Sequence, residues 1–466
     1  MEHLRIKPKD TPILLMMIVS FILICILLNI SLLFGFLGSI SLTSYILIKR
    51  GMGVKKLKEL ICEGILECKT IYLLILLIGA TVSVWLSSGV VPTMIFYGLE
   101  YMRGMNFLLA AFLITSLMAV FMGTAIGTIS TIGLALLGIG RGFGIPAHIL
   151  LGAVISGAFI ADKISPISGL LNLTLEATKL KYQDAFKAMI ITLIPTMLVT
   201  SLVYYYIGRN YIVSLNSPSI GEYQEAILGG FYISPWLFLL PVGILSLSIL
   251  GFKTIKTISL GLVGGIVVSV FLQKVAFASV LHAMFWGFKG TTESQQLNDI
   301  LVSGGVVSMI EVVLIVAGAV CLSSLLESSG LIKPMISKTI ASIKTEGQLI
   351  FKTGLISSIL TIVTCDQSVG IILPGRLFKE KYEEFGVEAT TLARTISDTG
   401  TIIAPIIPWN VNALIIGMIS GISAVAYGPY AILCYIAPVI SLISLYLFKG
   451  KKYHRFRSNP NVHNLE

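Results

Sequence analysis

Charge is what this chain has least of. Only 12% of its 466 residues are Asp, Glu, Lys or Arg, while 55% are hydrophobic; a soluble domain carries about 25% charged residues. Mean hydropathy is +0.92. So few charges cannot cover the surface of a soluble protein of this length, so water is excluded as its main solvent. The scarcity is also concentrated, because residues 11–48, 70–99, 104–140, 226–252 and 399–448 hold no charged side chain. A helix crosses a bilayer with about 20 apolar residues, so these runs predict an all-α polytopic membrane protein. They are solid rather than alternating, which argues against a transmembrane β-barrel.

Other absences narrow the chemistry. Cys25, Cys62, Cys68, Cys321, Cys365 and Cys434 form no close CxxC pair; they read as small buried hydrophobes, neither a disulfide framework nor a metal site. No HExxH, GxSxG or P-loop sequence occurs, so metalloprotease, acyl-hydrolase and ATP-driven chemistry are not expected. The aspartates of "IADKI" and "ISDTG" lack the Gly-x-Gly-Asp setting of an intramembrane aspartyl protease. The reading is therefore of a non-enzyme with no cofactor. The first apolar run, 13–28, ends at "NISLLF" without an A-x-A site, so it is not expected to be a removed signal.

Where charge does occur, it is basic and local. The net charge is +10, and "HLRIKPK" near the N-terminus, "KRGMGVKKLKE" at 49–59, "KTIK" at 253–256 and "KGKKYHRFR" at 449–457 supply much of it. Short basic connections beside apolar runs mark cytoplasmic loops against an anionic membrane face, not a nucleic-acid surface. Both termini are thereby assigned to the cytoplasm of a multi-pass cell-membrane protein. Spans are expected near 12–29, 31–48, 70–88, 107–122, 146–161, 185–207, 233–251, 257–272, 303–326, 348–365, 391–410 and 428–448, some of them broken. The Lys/Glu-rich segment 52–67 is expected to lie at the interface, and 208–232 to form an external loop. The chain divides into 1–69 (N-terminal helices), 70–207 (first repeat), 208–302 (connection), 303–448 (second repeat) and a basic tail at 449–466.

Four polar patches interrupt the oil. "GTAIGTISTIG" (123–133) is followed by "ADKISPISGLLNLT" (161–174); "CDQSVGIILPG" (365–375) is followed by "SDTGTIIAPIIPWNVN" (397–412). The two-patch pattern recurs at a separation of about 240 residues, as counted along the chain. Counted from the basic loops, the helices leading into the two pairs run in opposite senses, the mark of an inverted-topology repeat. About 10–12 transmembrane helices in two such repeats, with broken helices or re-entrant hairpins, are expected. Broken backbone survives at membrane depth only where it is buried or lines a watery cavity. Its carbonyls, with Ser, Thr, Asn and Asp oxygens, form the oxygen-rich surroundings that hard cations prefer. A carboxylate in that setting holds either a cation or a proton, so one acid can couple Na+ and H+ by competition.

Each candidate has a plainer alternative. Asp162, with Ser165, Ser168 and Asn172, is either a ligand group or the solvated end of a helix beside Lys163. Asp398 is a ligand or the i,i+4 partner of Arg394. Asp366 is a ligand or a hairpin-tip residue. Glu311, in "VVSMIEVVLIVAGAV", sits inside an apolar run, and an intramembrane carboxylate defaults to a functional assignment; a structural hydrogen bond is the alternative. His148 and His282 read as packing residues. Several glycines between 123 and 144 also suit close helix contacts.

Taken together, "GTAIGTISTIG", "GAVISGAFIADKISPIS…N" and "ARTISDTGTIIAPIIPWN" resemble the NhaC-type Na+/H+ antiporter family of prokaryotes, over roughly residues 70–440. The resemblance implies inverted repeats with paired re-entrant hairpins and exchange of Na+ for H+. It also implies that some relatives couple exchange to organic acids such as malate and lactate, or to amino acids. It places Thr124, Thr128, Asp162, Ser165, Pro166, Ser168 and Asn172 on first-half motifs. Asp366, Ser368, Asp398, Thr399, Thr401, Pro405, Pro408, Trp409 and Asn410 fall on those of the second half. Asp162 and Asp398 are the Na+ candidates. One departure stands out: where the family pattern continues "SPLSDTTN", this chain has "SPISGLLN", with Gly169, Leu170 and Leu171. An alternative substrate, a small organic anion or amino acid, stays open on that ground. The expected partners are the bilayer, Na+ and H+; the sequence leaves open whether copies of the chain associate.

Overall fold

The computed structural model describes residues 10–448 apart from 29, 103, 213–217, 251, 253, 329 and 331. The basic segments at 3–9 and 449–457, and Lys253, lie outside the described residues. The described chain is helical, and its one β-feature among those residues is an isolated bridge between Lys289 and Val302. Among the described residues seven helices are long and apolar enough to cross a membrane, or up to ten if three bent pairs each count as one span. Of the twelve expected spans, 107–122 and 348–365 are arms of hairpins, and the second of these is still one of the seven.

The first hairpin pairs Phe107–Met122 with a return arm that ends at Leu134–Gly142. Its open end is closed by the Phe107 and Phe143 rings, whose centroids are 5.2 Å apart. The second pairs Glu346–Thr364 with Gln367–Leu377, and Tyr382 beyond its end donates back to Thr353 at 3.3 Å. Each turn is made by one residue in the left-handed region: Gly123 (φ 68°) in the first and Cys365 (φ 62°) in the second. Glycine adopts that conformation freely. A cysteine there costs about 1–3 kcal/mol and persists because its surroundings hold it.

Two broken helices follow the hairpins. Ala147–Ala158 and Ala161–Ile164 stop at extended Ser165, and the chain resumes as Gly169–Thr178. Ala389–Ile396 widens into a π turn, Ser397–Thr401, passes through extended Ile407, and resumes as Val411–Ser420. Pro166 and Pro408 lie within the two breaks, where a missing N–H and a fixed φ end a helix. The long helix Tyr182–Gly208 shows their relative sense. The first broken helix touches it at Tyr204, whose hydroxyl bonds Gly152 O at 3.1 Å and Ser156 Oγ at 2.6 Å, and descends to Thr192. The second begins at the level of Met189, which packs on Ala393 and Leu171. The two therefore approach one level of the long helix from opposite ends.

Packing is closest where glycine allows it. A Cβ on Gly157 would stand 2.6 Å from Phe112 O and 2.8 Å from Ser116 N, which binds the first broken helix to its hairpin arm. Because both obstacles are backbone, neither can rotate away. Gly157→Val is expected to destabilise the protein by about 1–3 kcal/mol, read as a lowered Tm in detergent.

The segment expected at the membrane surface is helical and packs on another helix. Val54–Glu67 continues into Lys69–Ser87 as one 34-residue rod. It runs antiparallel to Gly305–Ser328: Leu60 O accepts from Ser324 Oγ at 3.2 Å, and a Cβ on Gly79 would meet Gly305 O at 2.9 Å. Its amphipathic face, with Leu57 and Leu60 buried, is spent on that helix. The expected loop at 208–232 likewise contains a helix, Pro218–Gly230, bent by 86° from the segment after it.

Candidate functional site

Each hairpin tip is fastened to the break of its own half. In the first, Ser165 Oγ donates to Val120 O at 2.6 Å. In the second, Val411 N donates to Cys365 O at 3.0 Å and Trp409 Nε1 to Ile362 O at 2.7 Å. Thr124 and Asp366 cap the return arms, accepting from Gly127 N at 2.9 Å and Ser368 N at 2.9 Å. Capping satisfies N–H groups a helix start leaves orphaned. Thr128 Oγ1 donates back to Thr124 O at 2.8 Å. Asp366 thus takes the hairpin-tip role, with Ser368 beside it, and Asn410 caps the resumed second helix through Asn412 N at 3.0 Å. Asn412 Nδ2 also reaches Gln367 Oε1 at 2.8 Å, and Gln367 Nε2 donates to Thr401 O.

The halves meet through a charge pair. Lys163 Nζ, from the first break, donates to Asp398 Oδ1 in the second-half π turn and to Thr192 Oγ1 at 3.0 Å. The lysine is 1% exposed and the aspartate 0%. Beside them Asp162, 7% exposed, accepts from Ser168 Oγ at 3.0 Å. A solvated helix end is therefore excluded for both Asp162 and Lys163. The i,i+4 partnership of Asp398 with Arg394 does not form: among the described residues Asp398 pairs with Lys163, and Arg394 Nε has no hydrogen-bond partner. Lys163, buried and reaching over from the first break, takes the carboxylate instead.

Unpartnered oxygens gather on the second-half side. Asp398 Oδ2, Ser397 Oγ, Thr401 Oγ1 and Thr361 Oγ1 are buried without a hydrogen-bond partner among the described residues. Thr399, by contrast, donates to Thr395 O at 2.6 Å. A buried polar atom left unmade costs about 1–3 kcal/mol. Several such oxygens next to one carboxylate suit a small hard cation, which takes hydroxyl, carbonyl and carboxylate oxygens. The resumed helices cross over: Gly169–Thr178 packs on the return arm of the second hairpin, where a Cβ on Gly375 would stand 2.7 Å from Ala177 Cβ. Val411–Ser420 packs on the return arm of the first.

Two candidates, and the departure at Gly169, stand apart. Glu311 is exposed on the outer side of Gly305–Ser328, with Ile310 and Leu314, and is not among the site residues. Apolar flanks mark a helix as membrane-embedded without saying which way one side chain points. Asn172 is exposed and donates to Pro166 O at 3.4 Å, bracing the break. Gly169 is exposed, with nothing within 4 Å of where its Cβ would be, so an acid at that position would project into open space rather than onto the ion pair. Of the histidines, His148 packs 5.2 Å from the Tyr430 ring, as expected, while His282 is exposed and stacked on Trp286. Lys163, Thr192, Gln367, Asn412, Ser397 and Thr361 were not among the candidates. Lys163 had a signal, a cation next to an acid inside an oily stretch; Thr192 had none.

Comparison with known proteins gives the same direction. Residues 170–450 match the model of the Na+/H+ antiporter family. The chain is 29% identical over 397 residues to the Na+/H+ antiporter NhaC of Bacillus subtilis (strain 168), covering 84% of this chain and 87% of that one. It is 28% identical over 405 residues to the malate-2H+/Na+-lactate antiporter of the same organism, covering 87% and 86%. A third relative, the Na+/H+ antiporter NhaC of Alkalihalophilus pseudofirmus, is 29% identical over 401 residues, covering 86% of each.

Proposed function

The chain belongs to the Na+/H+ antiporter family, and from that premise we propose that it exchanges Na+ for H+ across a cell membrane by alternating access. The single observation that carries the reading is the buried Lys163–Asp398 pair, which joins the two breaks. Taking two charges out of water is expensive unless each compensates the other. Asp398 therefore needs a cation at all times, and Lys163 is the resident one. Na+ is the other, drawn by Asp398 Oδ2 and the unpartnered hydroxyls of Ser397 and Thr401. When Na+ takes the carboxylate, the lysine ammonium is left out of water without a counter-ion and sheds its proton. When Na+ leaves, a proton returns to the amine and the pair re-forms. Asp162, next to Lys163 in sequence and bonded to Ser168, is the second buried carboxylate of the site and holds the break that carries the lysine.

The two halves act as inverted repeats in this reading. Support comes from the broken helices, which reach Thr192 from opposite ends of Tyr182–Gly208, and from the crossed packing of the resumed helices. Breaking the Lys163–Asp398 link frees one half to rock against the other around a midplane site. Both termini face the cytoplasm in this arrangement, by the basic-loop rule.

The test is a Na+ pulse to proteoliposomes carrying an internal pH dye. Purified wild type is expected to acidify or alkalinise the lumen according to the imposed Na+ gradient, and Asp162→Asn and Asp398→Asn to fall to the level of empty vesicles. Full exchange by both variants would remove the mechanism.

A further inference from the structure

Thr192 is wholly buried on the long helix Tyr182–Gly208, where its Oγ1 accepts from Lys163 Nζ at 3.0 Å. Its tie to its own helix is slack. Thr196, Thr353, Thr395 and Thr399 each donate to the carbonyl four residues back at 2.6–2.8 Å, the usual way a threonine satisfies itself inside a helix. Thr192 instead donates three residues back, to Met189 O, at 3.3 Å. That is beyond the usual span of an O–H···O bond, so little holds its hydrogen there.

Such a hydroxyl suits a lysine whose proton comes and goes. An ammonium has three donors and no acceptor, whereas an amine that has lost a proton gains a lone pair. A hydroxyl is donor and acceptor at once, and its hydrogen rotates to suit its neighbours. Thr192 therefore accepts from the ammonium with its own hydrogen on Met189 O, and can turn that hydrogen onto the amine. The two bonds are unequal, because one to an ionised group is roughly twice as strong as one between neutral groups. The hydroxyl thus favours keeping the proton on Lys163.

The other groups able to act on that proton are few. Asp398 and Arg394 face Lys163 from the second-half helix, and Asp162 flanks it in sequence. The long helix brings Tyr182, whose hydroxyl donates to Ile164 O at 2.9 Å. Phe107–Met122, which also packs on Ala161–Ile164, has no titratable side chain, and Glu176 of Gly169–Thr178 is exposed. Thr192 carries no charge, so replacing it leaves all of these charges in place.

Resting on the exchange cycle above, we propose that Thr192 is a positioning residue that sets how readily Na+ displaces the Lys163 proton. It is acceptor to the ammonium while Lys163 is paired with Asp398, and donor to the amine once Na+ has the carboxylate and the proton has left to water.

The test is the Na+ pulse in proteoliposomes, run over a series of pH values on wild type, Thr192→Val, Thr192→Ser and Thr196→Val. Valine nearly keeps the shape without the hydroxyl. It is expected to move the pH profile of exchange about half a unit to one unit toward acid, and to raise the apparent Na+ affinity at one pH about three- to tenfold. Serine keeps the hydroxyl and is expected to restore the wild-type profile. Thr196→Val, which removes a hydroxyl one turn away that back-bonds to Thr192 O, is expected to leave the profile unmoved. A merely structural role would lower the maximal rate of Thr192→Val and move neither quantity. Where the valine variant does not purify, Thr192→Cys, whose thiol is a weak hydrogen-bonding group, is read for the same shift. An unshifted profile in the Thr192 variant, or an equal shift in Thr196→Val, would overturn the assignment and leave exchange standing. Absence of Na+-driven proton movement in the wild type would overturn both.

Discussion

Lys163→Arg is expected to leave the protein about as stable as the wild type and to abolish Na+-driven proton movement. Both side chains are cations able to meet the buried Asp398 carboxylate, and Arg suits carboxylates well through its planar fork. The counter-charge is therefore kept and the desolvation of Asp398 stays compensated. What changes is the proton. A guanidinium remains charged under all ordinary conditions, so it can neither hand a proton to water when Na+ arrives nor vacate the carboxylate at low cost. The variant should behave as a carrier locked in its internally paired state. Thermal unfolding in detergent and the Na+ pulse in proteoliposomes, run on the same preparation, check the two halves of the expectation. Exchange at the wild-type rate would show that the lysine proton is not part of the cycle.

The second large effect is on folding. Removing one partner of a buried ion pair leaves the other uncompensated and costs about 3–5 kcal/mol. Asp398→Asn and Lys163→Met should each lose stability on that scale, because both groups are almost wholly removed from solvent. The double variant is expected to lose much less than the sum, since it leaves no orphaned charge. Denaturant unfolding of all four proteins gives the coupling energy directly. Strict additivity would mean that the two side chains are not paired in the membrane-solvated protein.

Much of the architecture was legible in composition. Charge-free runs predicted the helices, and the residues that break them did so where expected: Gly123 at one hairpin tip, Pro166 and Pro408 within the two breaks. Thr124, Asp366, Ser168 and Asn410 all cap helices that restart, which is what short polar side chains do after an interruption. What stayed illegible shares a cause: a sequence shows periodicity, not what lies opposite. Nothing in the amphipathic segment 54–67 says that its apolar face is covered by Gly305–Ser328. The apolar run around Glu311 does not say which way it points: Ile310 and Leu314 share its exposed side, while Met309 and Val312 face inward. A solvated end stayed open for Lys163 because its partner lies 235 residues away, and nothing local favours that pairing over Arg394, one turn before Asp398.

The central claim is that Na+ and the Lys163 proton are mutually exclusive on Asp398, and it can be tested without transport. Detergent-solubilised wild type in weakly buffered medium is titrated with Na+ while a pH dye counts released protons. The account predicts proton release that saturates with Na+ binding, an apparent Na+ affinity that rises about tenfold per pH unit for each proton displaced, and no such release from Lys163→Arg. Na+ binding to the wild type with no proton released would contradict it.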